Sequence, residues 1–247
     1  MLKCRTDPTS VARLAEPSFQ GKDSEMSRWE IRIATCVAAA LVGFTPATAK
    51  AADAQPGLAT TVLETLSVKG RAPKTGYSRD QFGQAWADVD HNGCDTRNDI
   101  LKRDLIEIMY KSGTKNCVVA SGTLMDRYSG ETINFVRGNI TSMEVQIDHV
   151  VALSNAWQTG AFKLTADQRK ALANDPMNLF AVKGSLNQRK SDADAATWLP
   201  PLKSFRCKYV AQQIAVKAKY SLWVVPPEKA AMVAILAKCP TQKVPVS

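Results

Sequence analysis

The 247-residue chain carries 32 Lys+Arg against 23 Asp+Glu, a formal charge of +9, and is 45% hydrophobic. That length bounds it to one or two domains, and the basic balance favours an acidic partner such as nucleic acid, teichoic acid or an anionic surface. No GxSxG nucleophile elbow and no HExxH zinc motif occurs, which argues against serine esterases and zincins.

The first recognisable element starts at Met26, in MSRWEIRIATCVAAALVGFTPATAKAADAQP. Arg28 and Arg32 form a basic region, Ile33 to Phe44 a short apolar one, and Ala47-Thr48-Ala49 a small-x-small cleavage site. This pattern predicts a signal peptide over 26–49, too short to stay as an ordinary membrane span, and hence a secreted protein without a membrane anchor after cleavage. Cys36 is followed by more apolar residues, which disfavours a lipoprotein. Residues 1–25 then read as an over-extended N-terminus. The excluded segment, 1–49, holds six Lys/Arg and five Asp/Glu, so the mature chain keeps nine minus one, or +8. Four cysteines remain: Cys94, Cys117, Cys207 and Cys239. With no CxxC, a zinc ribbon is disfavoured, and an even number in an exported chain suggests disulfides. Chain order and the local elements suggest Cys94–Cys117 and Cys207–Cys239.

Residues 50–72 lack a sustained period and read as a flexible lead-in. Residues 73–247 read as one domain. Ser78 is a candidate cap for a helix through Trp86. Thr96 to Tyr110 carries Ile100, Leu101, Leu105, Ile108 and Met109 as a helical stripe capped by Thr96. Cys117–Ala120, Gly122–Met125 and Glu131–Phe135 alternate like short antiparallel strands. Val145–Val150 is a further strand. Helices are expected over Asn155–Ala161 and over Thr165–Ala173 with Thr165 as cap. A strand over Met177–Val182 precedes a polar helix, Gly184–Lys190. Pro201–Tyr220 is long and amphipathic, and a last helix starts at Pro226-Pro227. The class is α+β.

Two stretches could carry chemistry. Asp88, Asp90, Asn92 and Gly93, with Asp99 in twelfth position, imitate a calcium loop. Asp95 stands where an apolar residue normally packs, and the alternative is an Asp/Asn/Gly turn before the next helix, with His91 exposed. The second stretch is Asp148-His149 at a strand end, followed by Asn178 before a strand and Asn187 on a helix. A ββα hairpin would gather Asp148, His149 and Asn187 in one cleft. A neutral imidazole can take a proton from water near pH 7. A hard divalent cation prefers oxygens such as those of Asp148 and Asn187. Lys190 and Arg189 are candidate contacts to a nucleic-acid backbone.

At these residues the chain resembles the HNH endonucleases of the His-Me finger (ββα-metal) fold. YSRDQF, GCDTRNDIL, IDHVVALSNAWQTGA and NQRKSDADAATWLPP resemble secreted bacterial members. They are similar to the C-terminal nuclease domain of GmrSD-type restriction enzymes, over Tyr77 to Cys239. The resemblance implies an HNH core with added helices, a small antiparallel sheet and two disulfides. It implies His149 as general base, Asn187 and Asp148 as metal ligands, Asn178 as a loop-steadying residue of the catalytic set, and Arg97 reaching the scissile phosphate. With only two histidines in the chain, a His-rich zinc site is excluded, and Mg²⁺ or Mn²⁺ is expected. The expected activity is a metal-dependent endonuclease acting on DNA, or on RNA, with little sequence preference. The alternative is a non-catalytic, Ca²⁺-stabilised envelope protein that binds anionic polymers.

Overall fold

Val145 to His149 and Leu179 to Lys183 are apolar runs, and they pair as β4 (Val145–His149) and β5 (Leu179–Lys183) of an antiparallel two-stranded ribbon. The register sets Asp148 opposite Phe180 and His149 opposite Leu179. A strand alternates its faces. Val145, Ile147, Leu179 and Ala181 therefore join one apolar cluster, whereas Phe180 and Val182 join another. Helix α5 (Gly184–Lys190) follows β5 directly and buries Leu186 in that second cluster, which completes a ββα unit. Gly184 is required at the junction. A Cβ there would meet the Met143 carbonyl oxygen at 1.9 Å, a distance no side chain tolerates.

The structure, a computed structural model, describes residues 57–246 apart from residue 140. The predicted signal peptide and the residues before it lie outside the described residues. Among the described residues no helix is long and apolar enough to cross a membrane.

Segment 57–72 is part of the fold rather than the flexible lead-in expected from its composition. Helix α1 (Ala59–Thr65) buries Ala59 and Leu63 in the cluster that holds α6 (Arg206–Lys219) and α7 (Pro226–Leu236). The Ala59 amide donates to the Gln242 carbonyl (2.8 Å), so the two ends of the domain are tied together.

The expected helix over Thr96–Tyr110 is two elements. Helix α2 (Thr96–Asp104) is capped by Asp95, whose side chain accepts from the Asn98 amide, and not by Thr96. Leu105–Tyr110 is strand β1, because it pairs with β2 (Val119–Met125). β3 (Thr132–Val136) completes a three-stranded antiparallel sheet. The expected helix from Ser78 is a single 3-10 turn, Arg79–Phe82, ended by Gly83 at φ 73°. Helix α3 is Leu153–Gln158, and α4 (Ala166–Asn174) has a full capping box from Thr165 and Gln168.

Both disulfides, Cys94–Cys117 and Cys207–Cys239, are present. Cys207–Cys239 ties the start of α6 to the segment after α7, closing a loop with a sequence separation of 32. Replacing both of these cysteines by serine is expected to lower stability by about 3–4 kcal/mol in the chain-entropy model, read by denaturant unfolding. Unchanged stability would mean that this crosslink constrains nothing in the unfolded chain.

Candidate active site

Strand alternation separates the two neighbours of the Asp-His pair. Asp148 faces Tyr128 and α5, whereas His149 faces the opposite side. They do not share one cleft.

On the first side, Asp148 is enclosed. Tyr128 Oη donates to its Oδ2 (2.6 Å) and Lys190 Nζ donates to its Oδ1 (2.9 Å). Burial pushes the Asp148 carboxyl above its usual range, with the Lys190 charge and the Tyr128 hydroxyl opposing that shift. Lys190 is fully buried, and its ammonium also donates to the His149 carbonyl (2.8 Å). This corrects the expectation that Lys190 contacts substrate. It is an internal ion-pair partner, out of reach of a nucleic-acid backbone. Arg189, its neighbour on α5, is exposed and free of partners among the described residues, as a backbone contact would be.

The expected cation also has to fit these residues. A divalent ion on Asp148 would stand beside an ammonium that already fills the cation position on Oδ1. The Asn187 carboxamide nitrogen donates to Gln146 Oε1 (2.9 Å). With Tyr128 on one carboxylate oxygen and Lys190 on the other, Asp148 as placed does not fit Mg²⁺ or Mn²⁺.

The acidic loop gives a similar answer. Asn92 Nδ2 donates to Asp90 Oδ2 (2.9 Å) and Asp99 Oδ1 (3.2 Å), and Asn92 Oδ1 accepts from the Cys94 amide (2.8 Å). Asp88 accepts from the Asn92 and Gly93 amides. The loop therefore closes on an amide donor, with the oxygen a calcium ion would need already committed. Its form is an Asx-type turn leading into the Asp95-capped helix. His91, at φ 58°, is exposed within it.

On the other side of β4, His149 lines a cleft of about 110 Å³ together with Arg79, Asp80, Gln84, Trp86 and Asn174. Its Nε2 lies 2.9 Å from the Ala173 carbonyl at the end of α4. A carbonyl only accepts, so Nε2 carries the proton and the Nδ1 lone pair is free. The Trp86 ring stacks on the imidazole, with centroids 6.0 Å apart and planes 16° from parallel. Trp86 holds a positive φ of 57°, a costly conformation for a bulky residue and one that marks functional segments. Burial lowers the His149 pKa to about 4. The Ala173 hydrogen bond opposes this shift, and the charges of Arg79 and Lys190 reinforce it.

Asn178 is fully buried and clasps the chain after β4. Its Oδ1 accepts from the Val151 amide (2.8 Å) and its Nδ2 donates to the Val151 and Leu172 carbonyls. It steadies the His149 loop and touches no cleft. Arg97 is half-buried and makes no hydrogen bond or ion pair among the described residues. Burial and the nearby Arg137 lower its pKa.

The sequence reading missed Arg79, Trp86, Ala173 and Asn174. Asn174 Nδ2 donates to the Lys170 carbonyl (2.9 Å), while its buried Oδ1 has no partner among the described residues. Only the stretch YSRDQFGQAW, with one arginine and one late tryptophan, signalled this wall of the cleft.

Fold and site define a mixed α+β protein in which a buried histidine of fixed tautomer backs a cleft. The chain belongs to the family of GmrSD restriction endonucleases, C-terminal domain, whose profile matches residues 95–235, and so to a group of nucleases. An uncharacterized secreted protein of Arthroderma benhamiae is 38% identical over 183 residues, covering 73% of this chain and 84% of that protein. No solved structure matches the chain.

Proposed function

We propose that the protein is an exported endonuclease of the HNH type that hydrolyses phosphodiester bonds, of DNA first and RNA as the alternative, with His149 as general base. The observation that carries this reading is the 2.9 Å bond from His149 Nε2 to the Ala173 carbonyl. It fixes the tautomer whose Nδ1 can accept a proton. In the reaction, a water gives a proton to Nδ1 as its oxygen bonds to phosphorus. The bond to the leaving oxygen breaks, and that oxygen takes a proton from solvent. Burial keeps the ring neutral at physiological pH, as the role requires.

Arg97 and Arg189 are unengaged cations suited to phosphate oxygens. Binding through phosphates would carry little sequence preference, and affinity would fall steeply with salt. Export is supported by the two disulfides and by the secreted relative.

The test is plasmid digestion by the disulfide-intact protein with magnesium, manganese, calcium or EDTA. Nicking or linearisation in any of these supports the reading. Cutting confined to magnesium or manganese would show that a cation takes part in the reaction. Cutting in EDTA would make the reaction independent of a cation. Intact plasmid throughout, with a folded protein, would overturn the nuclease reading.

A further inference from the structure

We propose that Arg79 binds a phosphate of the nucleic-acid backbone in the His149 cleft; the proposal rests on the nuclease reading for its substrate. Arg71, Arg103, Arg127, Arg137, Arg169 and Arg206 each hold a carboxylate or a carbonyl of the fold. Arg79 is exposed and makes no hydrogen bond or ion pair among the described residues, yet it lines the cleft with the imidazole. The adjacent Asp80 lines the same cleft and does not pair with it.

The backbone that carries Arg79 is anchored, so its side chain starts from a fixed point at the edge of the cleft. Phe82, at the end of the same turn, is 1% exposed and packs at 6.3 Å centroid distance from Tyr77 and from Trp157. Arg169 Nε donates to the Gln81 carbonyl (2.6 Å) and ties the turn to α4, the helix whose end holds His149. A planar guanidinium of permanent charge, unpaired among the described residues, matches two oxygens of a phosphate. Its charge is felt at the ring, where it favours the neutral imidazole. An anion held by Arg79 in this cleft would lie near the imidazole, with a water between them whose O–H donates to His149 Nδ1.

The test uses the full chain with both disulfides formed, and the variants Arg79→Ala and Arg79→Lys. Dimethyl phosphate, a diester monoanion, is titrated while the His149 ring protons are followed by NMR. The wild type is expected to show a saturable shift. Arg79→Ala is expected to lose it, and Arg79→Lys to recover part of it. Arg79→Ala is also expected to move the pKa of His149 upward and to leave the melting temperature unchanged, since no contact of the fold is lost. In cleavage assays Arg79→Ala should lower kcat/KM by about 10²-fold. A ring response to dimethyl phosphate equal to wild type in Arg79→Ala would overturn the proposal, whatever the nuclease activity. An Arg79-dependent response in a wild-type protein that cleaves nothing would sink the nuclease reading and leave the phosphate site standing.

Discussion

Replacing His149 with alanine is expected to lower the rate of phosphodiester cleavage by about 10²–10⁴-fold, the usual cost of losing a general base. The expectation rests on the fixed tautomer, because the Ala173 carbonyl holds the Nε2 proton and Nδ1 is left as acceptor. His149→Gln could keep a donor to that carbonyl, but it has no basic nitrogen, so it should be as inactive as alanine. Equal rates in wild type and both variants would remove the base from His149. The pH dependence follows from the same burial. With a pKa lowered from 6.5 to about 4, the ring stays neutral down to mildly acidic pH. The rate should therefore hold between pH 7 and 5 and fall as pH drops through about 4. An acid limb centred at 6.5 would mean that the acting ring is solvated. Stability is linked with a definite sign. Above pH 6.5 the ring is neutral in both folded and unfolded chains and contributes no slope. Between 6.5 and about 4 only the unfolded chain binds the proton, so stability falls as pH falls, by about 3 kcal/mol in all. Denaturant unfolding at pH 7 and pH 4 should show this loss in wild type and not in His149→Ala.

What could be read from the sequence divides along the range of the interactions involved. Thr165 as a cap and the polar run of α5 were legible because caps and short periods are local. The disulfides were suggested by chain order together with the local elements. The end of α2 was not. Leu101, Leu105, Ile108 and Met109 satisfy a helical stripe as well as a strand, and the decision is made by β2, which pairs Leu105 with Leu124. Helix α1 was hidden for the same reason. It has little amphipathic signal, and the partners that bury Ala59 and Leu63 lie near the other end of the chain. At the site, the Asp148-His149 pair was visible, but a clustered reading of Asp148, His149 and Asn187 overlooked the strand period. Consecutive residues of β4 must face opposite ways. A carboxylate turned inward needs a buried counter-charge, and Lys190, the last residue of α5, was that partner rather than a surface contact. Arg79 and Trp86 could not be placed, since no spacing connects residues 79–86 to a strand that starts at Val145.

Lys190→Met is expected to destabilise the fold by about 3–5 kcal/mol, the cost of leaving one member of a buried ion pair without the other. Lys190 Nζ and the Asp148 carboxylate meet at 2.9 Å with side-chain exposures of 0% and 4%, so solvent cannot substitute for either. Tyr128 would still donate to Oδ2, but the charge on Asp148 would lack its cation. Asp148→Leu should cost a similar amount, by stranding the ammonium. Combining Asp148→Leu with Lys190→Met should cost much less than the sum, because both charges leave together and the site becomes apolar. Denaturant unfolding of the two single variants and the double variant measures that coupling directly. The same lysine grips the His149 carbonyl at 2.8 Å, so the single variant should also lose cleavage through a displaced base, with DNA affinity little changed. The opposite pattern, full stability with weakened DNA binding, would return Lys190 to the surface role that its place in a basic run suggests. An internal role joins the two halves of the Asp-His pair. Asp148 is held from behind by Lys190 and Tyr128, and the strand so fixed sets His149 against Ala173 and the cleft.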